Sequence, residues 1–156
     1  MRLTLHSDYA LRVLMYTGLN HGRLSTIPEI AQNFRISKSH LMKVVSNLAQ
    51  LGYLQTVRGK NGGLQLMRPP AEINIGSVVR ATEEELGVVG CLQESNYCAI
   101  QSACVLRGAL RRATEAFLAV LDEYSLEDLL APGTAITQIL GIGRIAPAPA
   151  RPDIRQ

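Results

Sequence analysis

"TIPEIAQNFRISKSHLMKVVSNLAQLGYLQTVRGKNGGLQLMR", residues 26–68, decides the fold. Thr26-Ile27-Pro28-Glu29 joins a capping hydroxyl, a proline at an early helical position and a glutamate three residues after the cap, which together mark a helix start. Ile27, Ile30, Ala31 and Phe34 give that helix one apolar face and predict its end near Phe34. After the turn "RIS", Ser37 caps a second segment whose Leu41, Val44, Val45, Leu48 and Leu51 face inward until Gly52 stops it. Two helices across so short a turn predict a helix-turn-helix. "YLQTVR" and "LQLMR" then flank the glycine-rich "GKNGG", with Pro69-Pro70 closing the second run, and predict a β-hairpin. A hairpin placed directly after a helix-turn-helix is a wing. Caps, periodicity and turn chemistry agree, so residues 1–70 are expected to form a winged-helix domain in a mainly α chain.

Before this stretch, Leu11, Leu14, Met15, Gly18 and Leu19 recur at helical spacing, with Ser7 or Asp8 as the expected start and Gly22 near the end. After it, Ile75, Val78, Val79 and Thr82 predict another short helix. From Cys104 onward, Leu106, Leu110, Ala113, Phe117, Val120 and Tyr124 step by four and three, a heptad seam of less than three repeats. That seam fits either a helix packed on its own domain or a dimerisation helix; a homodimer is expected, because winged-helix readers of paired half-sites need a partner. Residues 71–132 therefore read as a cysteine loop followed by a dimerisation helix. Residues 133–156, with their alternating alanine and proline, are expected to be a disordered tail.

Charge divides along the same line. Residues 1–70 carry nine Lys/Arg against two acids, a balance of +7, and residues 71–156 carry seven against eleven, a balance of −4. A basic module joined to an acidic one points to a polyanion partner for the first, unless the imbalance is only uneven surface solvation. No stretch is long and apolar enough for a leader or a membrane span, so a cytoplasmic protein is expected. Nor is an enzyme: His6, His21 and His40 fall on different predicted elements, and neither a G-x-S-x-G nor an H-E-x-x-H motif occurs.

In a helix-turn-helix the start of the second helix enters the major groove of double-stranded DNA, which selects Lys38, Ser39, His40 and Lys43. Ammonium and hydroxyl groups there reach phosphates or base edges. The wing adds Arg58, Lys60 and Asn61, between glycines that let the backbone approach a phosphate or minor groove. "GKNGG" lacks the spacing and the Lys-Ser/Thr pair of a nucleotide-binding P-loop.

All three cysteines, Cys91, Cys98 and Cys104, lie within "GCLQESNYCAIQSACVLRG", residues 90–108. Thiolates are soft ligands suited to iron–sulfur clusters and to zinc, and the spacings of six and five residues exclude neither. The C-x-x-C knuckle usual in structural zinc sites is missing.

"SDYALRVLMYTG", "SKSHLMKVVSNLAQLGYLQTVRGKNGGLQL", "IGSVV" and the three-cysteine loop before a long helix closely resemble the winged-helix iron–sulfur transcription regulators, which include nitric-oxide-sensing repressors and cluster-assembly regulators. The resemblance runs from Met1 to about Pro132. It implies a homodimeric repressor whose loop cysteines hold a cluster near the dimer interface and whose operator is released when nitric oxide reacts there. In the nitric-oxide sensors the fourth ligand to a [4Fe-4S] cluster is an aspartate early in the first helix, donated by the other subunit; the matching residue is Asp8. In the cluster-assembly regulators it is a histidine three residues after the third cysteine, where this chain has Arg107. That departure favours [4Fe-4S] over the [2Fe-2S] mode. Asp8 has a simpler reading as an acid favoured by the helix dipole. His6 is a competing ligand, and Arg12, one turn after Asp8, either holds its carboxylate beside the cluster or is a DNA-facing or solvated arginine. Two rival functions stay open: a winged-helix regulator using the cysteines as a thiol switch or zinc site, and an iron–sulfur carrier or electron-transfer protein.

Overall fold

The computed structural model describes residues 2–20, 22–92 and 98–142. Its centre is helix α1 (Leu5–Leu19), whose Ala10, Val13 and Leu14 have no exposed surface. Around it pack α2 (Ile27–Phe34), α3 (Lys38–Gln50), α4 (Ile75–Thr82) and α6 (Leu126–Leu130), while α5 (Val105–Asp122) lies against α4. Strands β1 (Leu54–Val57) and β2 (Gly63–Leu66) form one antiparallel hairpin, with Leu54 opposite Leu66 and Val57 opposite Gly63. This is the winged helix the sequence predicts, a mostly helical body with one small hairpin and a long following helix.

The central stretch folds as its caps dictate. Thr26 Oγ1 accepts the Glu29 N–H at 3.4 Å and Ser37 Oγ accepts that of His40 at 3.3 Å. Arg35, in the left-handed conformation (φ 54°), ends α2 with its N–H turned back on the helix. Leu41, Val44, Val45 and Leu48 of α3 are buried with Ile30 and Ala31 of α2. Burying each large side chain is worth about 1.5–3 kcal/mol, which fixes the face α3 leaves outside. The wing is anchored at its root, because Ser25 exchanges two backbone hydrogen bonds with Leu64 at 2.9 and 2.7 Å. A β-carbon on Gly63 would stand 2.6 Å from the Ser25 carbonyl oxygen, so this close approach needs glycine.

Two expectations change, and the α5 seam is found largely outside the core. Helix α1 starts at Leu5, capped by Thr4, and not at Ser7 or Asp8. Ser7 is fully buried and its hydroxyl accepts a 2.8 Å bond from Thr82, so it serves a tertiary contact instead of a cap. The expected seam of α5 is mostly exposed: Leu106 (64%), Val120 (53%) and Tyr124 (47%) point outward, and Tyr124 lies beyond the end of the helix. Leu118, on the neighbouring face, is the α5 residue that is buried. The chain also continues past Pro132 as helix α7 (Gly133–Leu140), where a disordered tail was expected to begin at Gly133. Leu140 and Ile142 pack on the core, which gives that segment an apolar anchor. The remainder of the expected tail, residues 143–156, lies outside the described residues, as does His21.

The end of α5 is fixed by polar contacts. Arg80 of α4 donates to both carboxylate oxygens of Asp122 at 2.5 and 2.6 Å. Asn74 Nδ2 donates to the Asp122 carbonyl at 2.7 Å, and the Tyr124 carbonyl accepts the Ile75 N–H at 2.9 Å.

Candidate nucleic-acid interface and cysteine loop

Helix α3 presents Lys38, Ser39, His40 and Lys43 to solvent, opposite its buried face. The Ser37 cap holds the first turn open toward solvent, and the Ser37 and Ser39 hydroxyls lie 3.3 Å apart. The His40 ring stands beside the Tyr9 ring of α1 with centroids 6.3 Å apart. Met42, 55% exposed, and Ser46 continue the same outer stripe. Sequence reasoning missed them, although positions 39, 42, 43 and 46 follow directly from which residues face inward.

Arg58, Lys60 and Asn61 are all exposed at the wing tip. The tip turns through Gly59 (φ +115°), whose carbonyl accepts the Gly62 N–H at 3.0 Å, and a β-carbon on Gly62 would collide with the Val57 carbonyl oxygen. Arg68, at the wing's other end, is tied down: Nε donates to the Gly52 carbonyl at 3.2 Å and the guanidinium lies 5.2 Å from the centre of the Tyr53 ring.

Asp8 occupies the first turn of α1 and is gripped by Arg12, which donates from Nε to Oδ1 and from Nη2 to Oδ2, both at 2.9 Å. The Arg12 guanidinium also lies 5.7 Å from the centre of the Phe34 ring. His6, the competing ligand, is engaged by α3, with its Nε2 3.1 Å from Asn47 Oδ1. The start of α1 is further tied to the end of α4, because Glu83 Oε1 accepts from Thr4 N at 2.7 Å and from Thr4 Oγ1 at 3.1 Å.

Cys91, Cys98 and Cys104 are free thiols, each half-buried. Cys91 lies in a 3-10 turn (Gly90–Leu92), Cys98 opens a turn closed by the Gln101 N–H on its carbonyl at 3.0 Å, and Cys104 caps α5. Arg107 joins the two ends of the loop. Its backbone N–H donates to Cys104 Sγ at 3.4 Å and its Nε to the Cys91 carbonyl at 3.1 Å.

The donor set fits a soft metal centre: three unpaired thiols on one loop, one already accepting an N–H hydrogen bond of the kind that stabilises metal-bound sulfur. Within one chain the three thiols do not converge, with or without Asp8: among the described residues no three His, Cys, Asp or Glu side chains gather around one point. Nor, among them, is any helix long and apolar enough to cross a membrane.

Comparison with known proteins follows the same outline. The family model described as Rrf2, iron-dependent transcriptional regulator, matches residues 3–132. The chain is 46% identical over 142 residues to the HTH-type transcriptional regulator NsrR of Bacillus subtilis, covering 90% of this chain and 97% of that one. It is 48% identical over 142 residues to the NsrR of Geobacillus kaustophilus, with the same coverage. Among solved structures it is similar to CymR, the global cysteine regulator of B. subtilis, with a TM-score of 0.66 and 28% identity over 83% of this chain and 95% of that one.

Proposed function

Since the chain belongs to the Rrf2 family of iron-dependent transcriptional regulators, we propose that it is a homodimeric repressor that holds a double-stranded DNA operator and releases it in response to nitric oxide. In this reading Cys91, Cys98 and Cys104 bind an iron–sulfur cluster of the [4Fe-4S] type, and Asp8 of the partner subunit supplies the fourth ligand. The bound cluster would supply an iron, held by a hard carboxylate among soft thiolates, at which nitric oxide reacts.

The observation that carries the reading is the start of α1. Within three residues it bears Asp8, the candidate ligand, and His6, whose ring is bonded to Asn47 of the recognition helix α3. A carboxylate that gives one oxygen to the partner subunit loosens its two-point grip on Arg12, both contacts being 2.9 Å here, and a carboxylate set free can restore it. That exchange is a two-position device on the helix that grips α3. Ser7, bonded to Thr82, and Thr4, bonded to Glu83, make the helix start move with the end of α4 and not by fraying. The two Asp8 positions thus bias the setting of Lys38, Ser39, His40 and Lys43 against the major groove, and ligand-state coupling of this kind typically amounts to about 1–3 kcal/mol. Lys60, Asn61 and Arg58 on the wing hold adjacent phosphates in either setting.

Anaerobic purification with iron and sulfide counting tests the cofactor. Equal iron and acid-labile sulfide at one cluster per chain is expected, with Asp8→Ala retaining iron but losing it faster. A colourless, iron-free anaerobic preparation would contradict the reading and favour a thiol or zinc switch.

A further inference from the structure

We propose that Arg107 is a positioning residue for the cysteine loop, holding Cys91 and Cys104 in place before any metal arrives. The inference rests on the reading above that these thiolates are metal ligands. It stands on one residue making two contacts with opposite ends of the loop: the backbone N–H to Cys104 Sγ at 3.4 Å and the side-chain Nε to the Cys91 carbonyl, 16 residues away in sequence, at 3.1 Å.

The next arginines on α5 behave differently. Arg111 and Arg112 are exposed, and among the described residues Arg111 pairs with Glu115, at 3.8 Å. Arg107 is half-buried and turned back across the helix start. Cys104 is already fixed by its place as the cap of α5, whereas Cys91 belongs to a short turn. The Nε bond therefore transfers the order of the helix to the far end of the loop. A guanidinium offers a planar, rigid donor edge at Nε, which fixes the direction of that bond.

Partners that orient ligands without touching the metal are typically worth about 10–100-fold in metal affinity. The test uses cadmium ion, a soft probe of thiolates, titrated into reduced full-length apoprotein and followed by sulfur-to-metal charge-transfer absorbance. Arg107→Ala is expected to bind cadmium at least ~10-fold more weakly than the unaltered protein. Arg107→Lys, which keeps the cation and loses the fixed donor geometry, is expected to fall between them, and Arg111→Ala to match the unaltered protein. Thermal melting should be the same for all four, since Arg107 lies outside the core. Cadmium affinity of Arg107→Ala within about twofold of the unaltered protein would overturn the inference, and so would an equal loss in Arg111→Ala, which would make the effect one of charge alone. Iron counting and the nitric oxide response are scored separately: their failure with the cadmium result intact removes the repressor reading and leaves Arg107 in its role. The absence of any charge-transfer band in the unaltered apoprotein would remove both.

Discussion

His6 on α1 and Asn47 on α3 meet through one side-chain contact, Nε2 to Oδ1 at 3.1 Å, two residues from the candidate ligand Asp8. Asn47→Ala cuts that tie while leaving the buried residues of α1 and α3 in place. The apoprotein should bind operator within about twofold of the unaltered chain. The advantage of the cluster-loaded form should shrink by about 5–10-fold, the lower part of the usual range for coupling between sites. Fluorescence anisotropy on both forms measures the ratio, and an unchanged ratio would show that α3 is set by another route.

Gly76 and Asp122 form a second relationship with a definite cost. A β-carbon at position 76 would run into Asp122 Oδ1 and crowd Arg80 Nη1 at 2.9 Å. Gly76→Ala should therefore push the Asp122 side chain away from Arg80 and lose that contact, a cost set against the roughly 1 kcal/mol that alanine gains over glycine inside a helix. Asp122→Ala in the same chain removes the obstacle, so the double variant should be more stable than the two single losses added together. Additive losses in chemical denaturation would contradict the steric account.

The same carboxylate makes stability depend on acid. Hydrogen bonding from Arg80, chiefly, holds the Asp122 carboxyl below the usual aspartate range. Its contribution is therefore full above the ordinary aspartate value and is lost as pH falls through the lowered one. Asp128 is lowered as well, by its hydrogen bonds from Ser125. Asp122→Asn should flatten part of the acid limb of a stability–pH curve, leaving the part that belongs to Asp128. An acid limb of unchanged steepness would exclude the contact as a source.

Much of this was legible in the sequence, and the parts that were not share a cause. The α2–turn–α3–hairpin unit could be read because Thr26, Ser37 and Gly52 mark its boundaries locally and Leu41, Val44, Val45 and Leu48 repeat at helical spacing. The true start of α1 could not, because Ser7 has a cap's chemistry but is used 75 residues away, against Thr82. Helix α7 is short and follows Pro132 with a glycine and two threonines among its eight residues, and its anchor, Leu140 against the core, is a tertiary fact. The heptad spacing on α5 marks the outer face correctly, yet only contact with α4 reveals that Leu118 faces in. For the site, the exposed lysines followed from knowing the buried face of α3. The Arg12–Asp8 grip was available as an i,i+4 pair. The reach of Arg107 to Cys91 depends on how the loop closes, which spacing does not encode.

The wing can be weighed through salt. Lys60 at its exposed tip should neutralise one phosphate, so Lys60→Ala should lower the slope of log affinity against log salt by about 1 and weaken binding to all sequences alike. Met42→Ala should leave that slope unchanged and alter preference among operator variants, as loss of an apolar contact to a thymine methyl does. Both are read from binding isotherms at several salt concentrations. An unchanged slope for Lys60→Ala would take the wing tip off the phosphates.

The central claim is that one switch at Asp8 governs operator binding, and its most direct measurement is operator affinity of a single anaerobic preparation in three states: cluster-loaded, exposed to nitric oxide, and stripped of metal. The account predicts tight binding in the first and at least ~10-fold weaker binding in the other two, with Asp8→Ala weak in all three. Equal affinity in the three states, or an Asp8→Ala variant that keeps the full difference, would contradict it.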